Sequence, residues 1–282
     1  MTNCGDKAIV DKFSRLKEIL ARMQSVAVAF SGGVDSTFLL SIAQSVLEDK
    51  VLAVTADSET SPRHEMEDAR KLAAEFGVRH LIIQSDELKS PEFVKNPVDR
   101  CYICKKGRFS AIFSLAQEHG LTWVAEGSNI DDRSDYRPGM KAVLELRVRS
   151  PLLEAGLSKA EIRRLSQCLG LSTWDKPPYA CLATRIPYGT PITAEKLRQV
   201  DAAEEFIRSR SITRQVRVRH YGDTARIEVA EEDIANLLES ETRRHVVSFI
   251  KNLGFRFVTL DLEGYRTGSL NIAHVEEPGM HI

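Results

Sequence analysis

The chain has 282 residues, of which 43% are hydrophobic and 28% charged, and a formal net charge of -1. This is a globular composition, sized for one large domain or two smaller ones. It lacks the basic excess that advertises a nucleic-acid surface, and no apolar run approaches the roughly 20 residues that cross a bilayer.

Residues 7–23 space Ile9, Phe13, Leu16, Leu20 and Met23 by four and three, which predicts one helix face. "VAVAF" (26–30) is a short unalternating apolar run, as in a parallel strand buried on both sides. A helix is expected at about 36–48, a strand at 51–56, a helix from Pro62, a strand at 80–84, a helix from near Cys101 to His119 and a strand at 123–127. Alternating strand and helix predict an α/β domain with a doubly wound parallel sheet. Between 128 and 190 the pattern loosens into long turn-rich stretches, with a helix at 158–169. Beyond Pro191 follow a helix (193–210), a hairpin in "RQVRVRHYGDTARIEV", helical sequence (231–252) and a strand (255–262). The expected division is 1–190 for the α/β domain and 191–282 for a smaller α+β domain. The N-terminal "MTNCGDKAIVDKF" has no signal-peptide core, and the five cysteines (Cys4, Cys101, Cys104, Cys168, Cys181) are odd in number. Both point to reduced thiols in a cytoplasm.

The sharpest motif is "SGGVDS", Ser31, Gly32, Gly33, Val34, Asp35 and Ser36, between a strand and a helix. Adjacent glycines let backbone N–H groups converge on an anion, and the helix start adds its positive dipole end. Ser31, Ser36 and Thr37 offer hydroxyl donors, and Asp35 makes sense if the anion comes with magnesium. The loop is neither a Walker A motif, for no Gly-Lys pair occurs, nor GxGxxG. It resembles the pyrophosphate loop of the N-type ATP pyrophosphatases (PP-loop, adenine nucleotide alpha hydrolase fold), which transfer AMP to an oxygen nucleophile. That resemblance gives "AVTADS", with Asp57, an adenine-side role; a plain core strand is the alternative. "EGSNIDDRSDYRPG" carries Asp131, Asp132 and Asp135, with Arg133, and reads either as a magnesium–pyrophosphate loop or as a solvated acidic loop.

Cys101 and Cys104 stand three apart at a helix start beside Arg100, Lys105 and Lys106, a setting that favours thiolate. Cys181 lies in "KPPYACLATRIPYG", a proline-stiffened loop flanked by Lys176 and Arg185. Three thiols are too few for a closed Cys4 zinc site. They suit a 4Fe-4S cluster with one open iron, or a nucleophile with two resolving thiols. Cys4 and Cys168 read as structural.

The stretches "SGGVDSTFLL", "RCYICKK", "EGSNIDDRSDYRPGMKA", "SPLLEAGLSKAEIRRL", "WDKPPYACLATRIPYG" and "RVRHYGDTARIEV", in this order, resemble the LarE family of ATP-dependent sulfur transferases over nearly the whole chain. The resemblance implies ATP with Mg2+, and a small-molecule nucleotide substrate, pyridinium-3,5-biscarboxylic acid mononucleotide. One carboxylate is adenylated and becomes a thiocarboxylate for the nickel-pincer cofactor. In the sacrificial form of the family the cysteine matching Cys181 gives up its own sulfur; in the cluster form Cys101, Cys104 and Cys181 hold a 4Fe-4S cluster. The three-cysteine pattern here favours the cluster. Relatives form homo-oligomers, and no membrane or nucleic-acid partner is expected.

Arg217 and Arg219 are two apart on a predicted strand and face one way. Such a pair suits phosphate, and the resemblance places the substrate phosphate there, with Glu205 and Arg185 completing the candidate substrate-binding set. A solvated sheet face is the alternative. Three other functions share the PP-loop: a tRNA thiolase, an ammonia-dependent amide synthetase and a non-enzymatic adenine-nucleotide sensor.

Overall fold

The structure, a computed structural model, describes residues 6–133, 138–178 and 180–266. The chain divides into two compact units, Met1–Phe93 with Pro97–Tyr179, and Val94–Asn96 with Ala180–Ile282. Among the described residues, no helix is long and apolar enough to cross a membrane.

In the first unit the chain runs α1 (Lys7–Met23), β1 (Val26–Ala29), α2 (Val34–Leu47), β2 (Val51–Asp57), α3 (Arg63–Glu75), β3 (Arg79–Gln84), α4 (Pro91–Val94, its last residue in the other unit), α5 (Arg100–Glu118), β4 (Trp123–Ala125), α6 (Gly139–Glu145), α7 (Pro151–Ala155) and α8 (Lys159–Cys168). The four strands form a wholly parallel sheet in the order β3-β2-β1-β4, with Val28 between Ala53 and Ala125. Val26, Val28 and Phe30 pack into one core with α1, α2 and α8, while Ala27 faces a second core with Phe109, Ile112 and Ala116 of α5. Burial on both faces explains why β1 reads as unalternating apolar sequence. β1 leads to β2 on one side and has β4 on the other, so the strand order reverses at β1. Ligands of doubly wound sheets sit in such a crevice, beyond the carboxyl ends of the strands.

The sequence expectations hold here with small shifts. The stretch from 128 to 190, read as loosely ordered, also contains α6 and α7, of 7 and 5 residues. Elements that short show no periodicity. α8 starts with a capping box: the Ser158 side chain accepts from the Glu161 N–H and Glu161 accepts from that of Ser158.

The second unit comprises α9 (Ala194–Ser209), β5 (Val216–Tyr221), β6 (Thr224–Val229), α10 (Ile234–Leu238), α11 (Ser240–Asn252) and β7 (Phe257–Leu260). β5 and β6 form the expected antiparallel hairpin, and β7 joins β6 in parallel. The helical stretch breaks at Glu239, which is extended (ψ 138). This unit also takes in residues 180–190, which the sequence division assigns to the first. Its buried members Leu182, Ala183 and Ile186, with Ile192, anchor it there. Asn96 is its distant contribution. Fully buried and with φ 57, it donates through Nδ2 to the carbonyls of Pro187 (2.8 Å) and Thr190 (3.0 Å), and its own carbonyl accepts from Gly189 N–H (2.9 Å).

Candidate active site

The glycine loop sits at the switch point. Gly32 has φ +70, and a Cβ there would stand 3.2 Å from the backbone nitrogen of Ala69 on α3, so both conformation and space demand glycine. Gly33 caps α2 in an extended conformation with no side-chain cap, which leaves the first N–H groups of the helix without partners inside it. The hydroxyls of Ser31 and Ser36 lie 3.1 Å apart, and Ser36 donates to the Gly33 carbonyl at 3.2 Å. From the other side of the crevice comes Gly127, after β4. A Cβ on Gly127 would meet Ser36 N at 3.1 Å and Asp35 Cβ at 3.2 Å, so this loop presses directly on the start of α2.

Two buried oxygens in this cradle lack partners. Thr37 is fully buried, and its Oγ1 has no hydrogen bond; neither has Asp35 Oδ1. A buried hydroxyl or carboxylate oxygen left unsatisfied costs about 1–3 kcal/mol, a cost that a bound phosphate or its metal ion removes. Asp35 Oδ2 accepts from Lys159 Nζ at 2.5 Å. Burial pushes the Asp35 carboxyl above its ordinary range, and the Lys159 charge opposes that shift. Lys176 donates to the Gly32 carbonyl at 3.1 Å and to Asp68 at 2.7 Å. A helix N-terminus, two glycines and two ammonium groups together make a candidate anion site.

Lys159 and Gly127 escape the sequence reading. Lys159 opens α8, where a cation faces the positive end of the helix dipole; that misfit is the signal that could have found it. Asp131 holds it in place, accepting the Lys159 backbone N–H at 2.8 Å, while Asp132 accepts from Asn129 N–H at 2.9 Å. The acidic loop thus positions a helix that carries a lysine to Asp35. Asp135 and the Arg133 side chain lie outside the described residues. Asp57 ends β2 and accepts from Gln84 Nε2 at 3.2 Å.

Cys101 is exposed and Cys104 half-buried on the first turns of α5. Cys104 Sγ lies 3.4 Å from Oε1 of buried Glu87, which also accepts from Arg108 Nε (2.5 Å) and Ser85 Oγ (2.7 Å), while Oε2 accepts from Ser58. Burial pushes Glu87 up, but Arg108 and these hydrogen bonds outweigh it and hold the carboxyl below its ordinary range. Cys104 is thereby tied to the segment after β2. Among the described residues no three His, Cys, Asp or Glu side chains stand together as metal ligands.

In the second unit the expected arginine face is not solvated. Arg217 is 2% exposed and Arg219 5%. Arg219 forms a fork with Glu228 (3.0 and 2.8 Å), and Arg217 donates to the Val216 carbonyl at 2.8 Å and lies over the Tyr265 ring. Burial, then the neighbouring Arg185 charge, lower the Arg217 pKa. Arg185 is fully buried and forks onto Glu204, both bonds 2.8 Å. Glu205, one residue on, is exposed and pairs with Arg208 at 2.5 Å. Cys181 is half-buried in the turn ahead of Arg185.

A strand–Gly-Gly–helix cradle at a switch point, with unsatisfied buried oxygens and flanking lysines, defines a PP-loop ATP-using enzyme. Residues 16–99 match the asparagine synthase family. The chain is 40% identical over 264 residues to the pyridinium-3,5-bisthiocarboxylic acid mononucleotide synthase of Lactiplantibacillus plantarum, covering 93% of this chain and 95% of that one. It is 42% identical over 260 residues to an uncharacterised protein of Synechocystis (92% and 97% covered), and 27% identical over 263 residues to one of Methanocaldococcus jannaschii (93% and 98%). The chain belongs to the LarE family of ATP-dependent sulfurtransferases.

Proposed function

We propose that this protein adenylates a carboxylate of pyridinium-3,5-biscarboxylic acid mononucleotide and converts it to a thiocarboxylate. The observation that carries this is the 40% identity, across 93% of the chain, to a synthase named for the bisthiocarboxylic product. A substrate carboxylate oxygen attacks the α-phosphorus of ATP, and pyrophosphate departs. Ser31, Gly32, Gly33, Ser36 and Thr37 receive it, with Lys159 and Lys176 balancing its charge and Asp57 on the adenine side. Mg2+, held by Asp35, would neutralise phosphate charge; the unsatisfied Asp35 Oδ1 fits that role. Asp131 serves by anchoring Lys159.

The acyl-adenylate is an activated electrophile, and a thiolate is a strong nucleophile near neutral pH. Where Cys181 is the donor, its thiolate attacks the acyl carbon, the acyl–oxygen bond breaks and AMP leaves. In the sacrificial route a base then removes the Cys181 Cα proton, the Cβ–S bond breaks toward sulfur, and thiocarboxylate and dehydroalanine remain. In the other route Cys101, Cys104 and Cys181 would hold a 4Fe-4S cluster that would supply the sulfur, so that the chain would survive turnover. Arg217, Arg219, Arg185 and Glu205 form the candidate substrate-binding set. A homo-oligomer in the cytoplasm is the proposed working form.

The test is to purify the protein without oxygen, supply ATP and the pyridinium dicarboxylate, and measure pyrophosphate, thiocarboxylate and intact mass. Bulk tRNA and ammonia serve as controls. A chain lighter by one hydrogen sulfide at Cys181 marks sacrifice; a brown chromophore with unchanged mass marks a cluster. Pyrophosphate release with tRNA or ammonia, and none with the dicarboxylate, would overturn the assignment.

A further inference from the structure

Both ammonium groups of the cradle depend on one helix. Lys159 opens α8 and reaches Asp35 directly. Lys176 lies in the turn beyond the end of α8, yet the helix holds that turn too. Arg163, on the second turn of α8, donates through Nη1 to the Trp174 carbonyl at 2.7 Å and through Nη2 to the Lys176 carbonyl at 2.8 Å. In the same stretch Trp174 N–H donates to the Leu171 carbonyl at 3.2 Å and Lys176 N–H to that of Thr173 at 3.0 Å. Pro177 and Pro178 follow and stiffen the chain. The helix is itself fixed: Ile162 and Leu165 are buried, and Glu161 accepts two bonds from Lys12 of α1, at 2.7 and 2.9 Å.

The Lys176 ammonium holds the Gly32 carbonyl at 3.1 Å, with Asp68 as a second acceptor at 2.7 Å. In a trans peptide a carbonyl and the next N–H point in opposite directions. A cation on the Gly32 oxygen therefore sets the Gly33 N–H on the other side. There stand the hydroxyls of Ser31 and Ser36, with Ser31 Oγ 3.4 Å from the Gly33 nitrogen. This lock matters because a peptide between two glycines meets little steric resistance to turning over. Turned over, it would present a carbonyl oxygen to an anion in place of a donor. A lysine on a slack segment gives no such lock, and the Arg163 fork removes the slack. The planar guanidinium spans two carbonyls at once; an ammonium, a point charge on a flexible stem, does not.

We propose that Arg163 is a positioning residue of the anion loop, acting through the Trp174–Lys176 segment on the Gly32–Gly33 peptide. The proposal rests on the reading of Ser31–Thr37 as the pyrophosphate site, and it gives Lys176 a task besides its charge. In calorimetry with inorganic pyrophosphate and Mg2+, Arg163→Met is expected to weaken binding about tenfold. Arg163→Lys keeps the charge but not the fork and is expected to lose nearly as much. Lys176→Met is expected to lose about tenfold or more. Adding Arg163→Met to it is expected to change affinity by less than about twofold, because the fork then has no ammonium to place. In peptide-resolved hydrogen exchange, the amides of residues 174 and 176 are expected to exchange several-fold faster in Arg163→Lys than in the unaltered chain.

Losses that multiply in the double variant would overturn the proposal, since Arg163 would then act independently of Lys176. So would full affinity in Arg163→Lys, which would assign the effect to charge alone, and so would unchanged exchange of the segment. If Arg163→Met does not fold, Arg163→Lys takes its place in the cycle. If the unaltered protein binds no pyrophosphate, the functional reading has failed, whereas the exchange contrast still tests the fork.

Discussion

The glycine loop of the first unit and the arginine pairs of the second are both buried polar sites, and they are finished to different degrees. In the loop, Thr37 Oγ1 and Asp35 Oδ1 have no hydrogen-bond partner. In the arginine pairs, the forks onto Glu204 and Glu228 use both oxygens of each carboxylate, and the remaining nitrogens reach backbone carbonyls. Unsatisfied buried polar atoms leave room for a ligand to complete the structure, whereas the arginines already have carboxylate and carbonyl partners within the chain. Charge by itself does not distinguish the two.

The comparison is broken most forcefully at Glu204. Glu204→Ala leaves Arg185 buried without its carboxylate, and unfolding in denaturant is expected to show a loss of about 3–5 kcal/mol. The loop should respond in the opposite manner, through function. Gly32→Ala forces a side chain against the Ala69 backbone at a left-handed φ, and ATP-dependent pyrophosphate release is expected to fall about 100-fold. A near-normal rate would show that the loop does not hold the leaving group.

Lys159→Ala is expected to weaken ATP binding about tenfold, measured by calorimetry, since one charge-assisted contact contributes about 1.5–3 kcal/mol. It also carries a pH signature. Burial raises the Asp35 pKa and Lys159 opposes the rise, so removal of Lys159 raises it further. The acidic limb of the pyrophosphate-release profile should therefore move to higher pH; a limb that stays or moves down would separate Asp35 from the chemistry. The smallest effect is expected at Glu205, whose ion pair with Arg208 is exposed on the Glu205 side. Glu205→Ala should change stability by less than about 1 kcal/mol, so any loss of turnover in it reports on substrate contact alone.

Local pattern carried most of the fold. The four-and-three spacing of Ile9 to Met23 and the apolar run of β1 are legible because each reports the cores against which it packs. The hexapeptide Ser31–Ser36 is legible because its glycines answer a backbone requirement. The lysines of the cradle were not, since Lys159 and Asp35 are 124 residues apart and Lys176 and Gly32 are 144 apart. In α9 the helical phase could have served better: Leu197, Val200, Glu204 and Ile207 fall on one buried face, and Glu205 points away from it. On β5 the two arginines do share a face, but sequence alternation alone could not tell a solvated face from one closed by Glu228.

Asn96 has a bearing on how the molecule is made. Val94–Asn96 belongs to the second unit, so the chain passes into that unit and out again before entering it for good at Ala180. The carbonyls that Asn96 bonds follow about 90 residues later in the chain. At a synthesis rate of roughly 5–20 residues per second, this short segment waits on the order of 5–20 s on the ribosome before its partners exist. The first unit is therefore built from two stretches of chain separated by three residues that it does not keep. No single cut separates the two units without stranding residues 94–96, and a fragment that begins at Ala180 lacks the side chain that ties its own first loop.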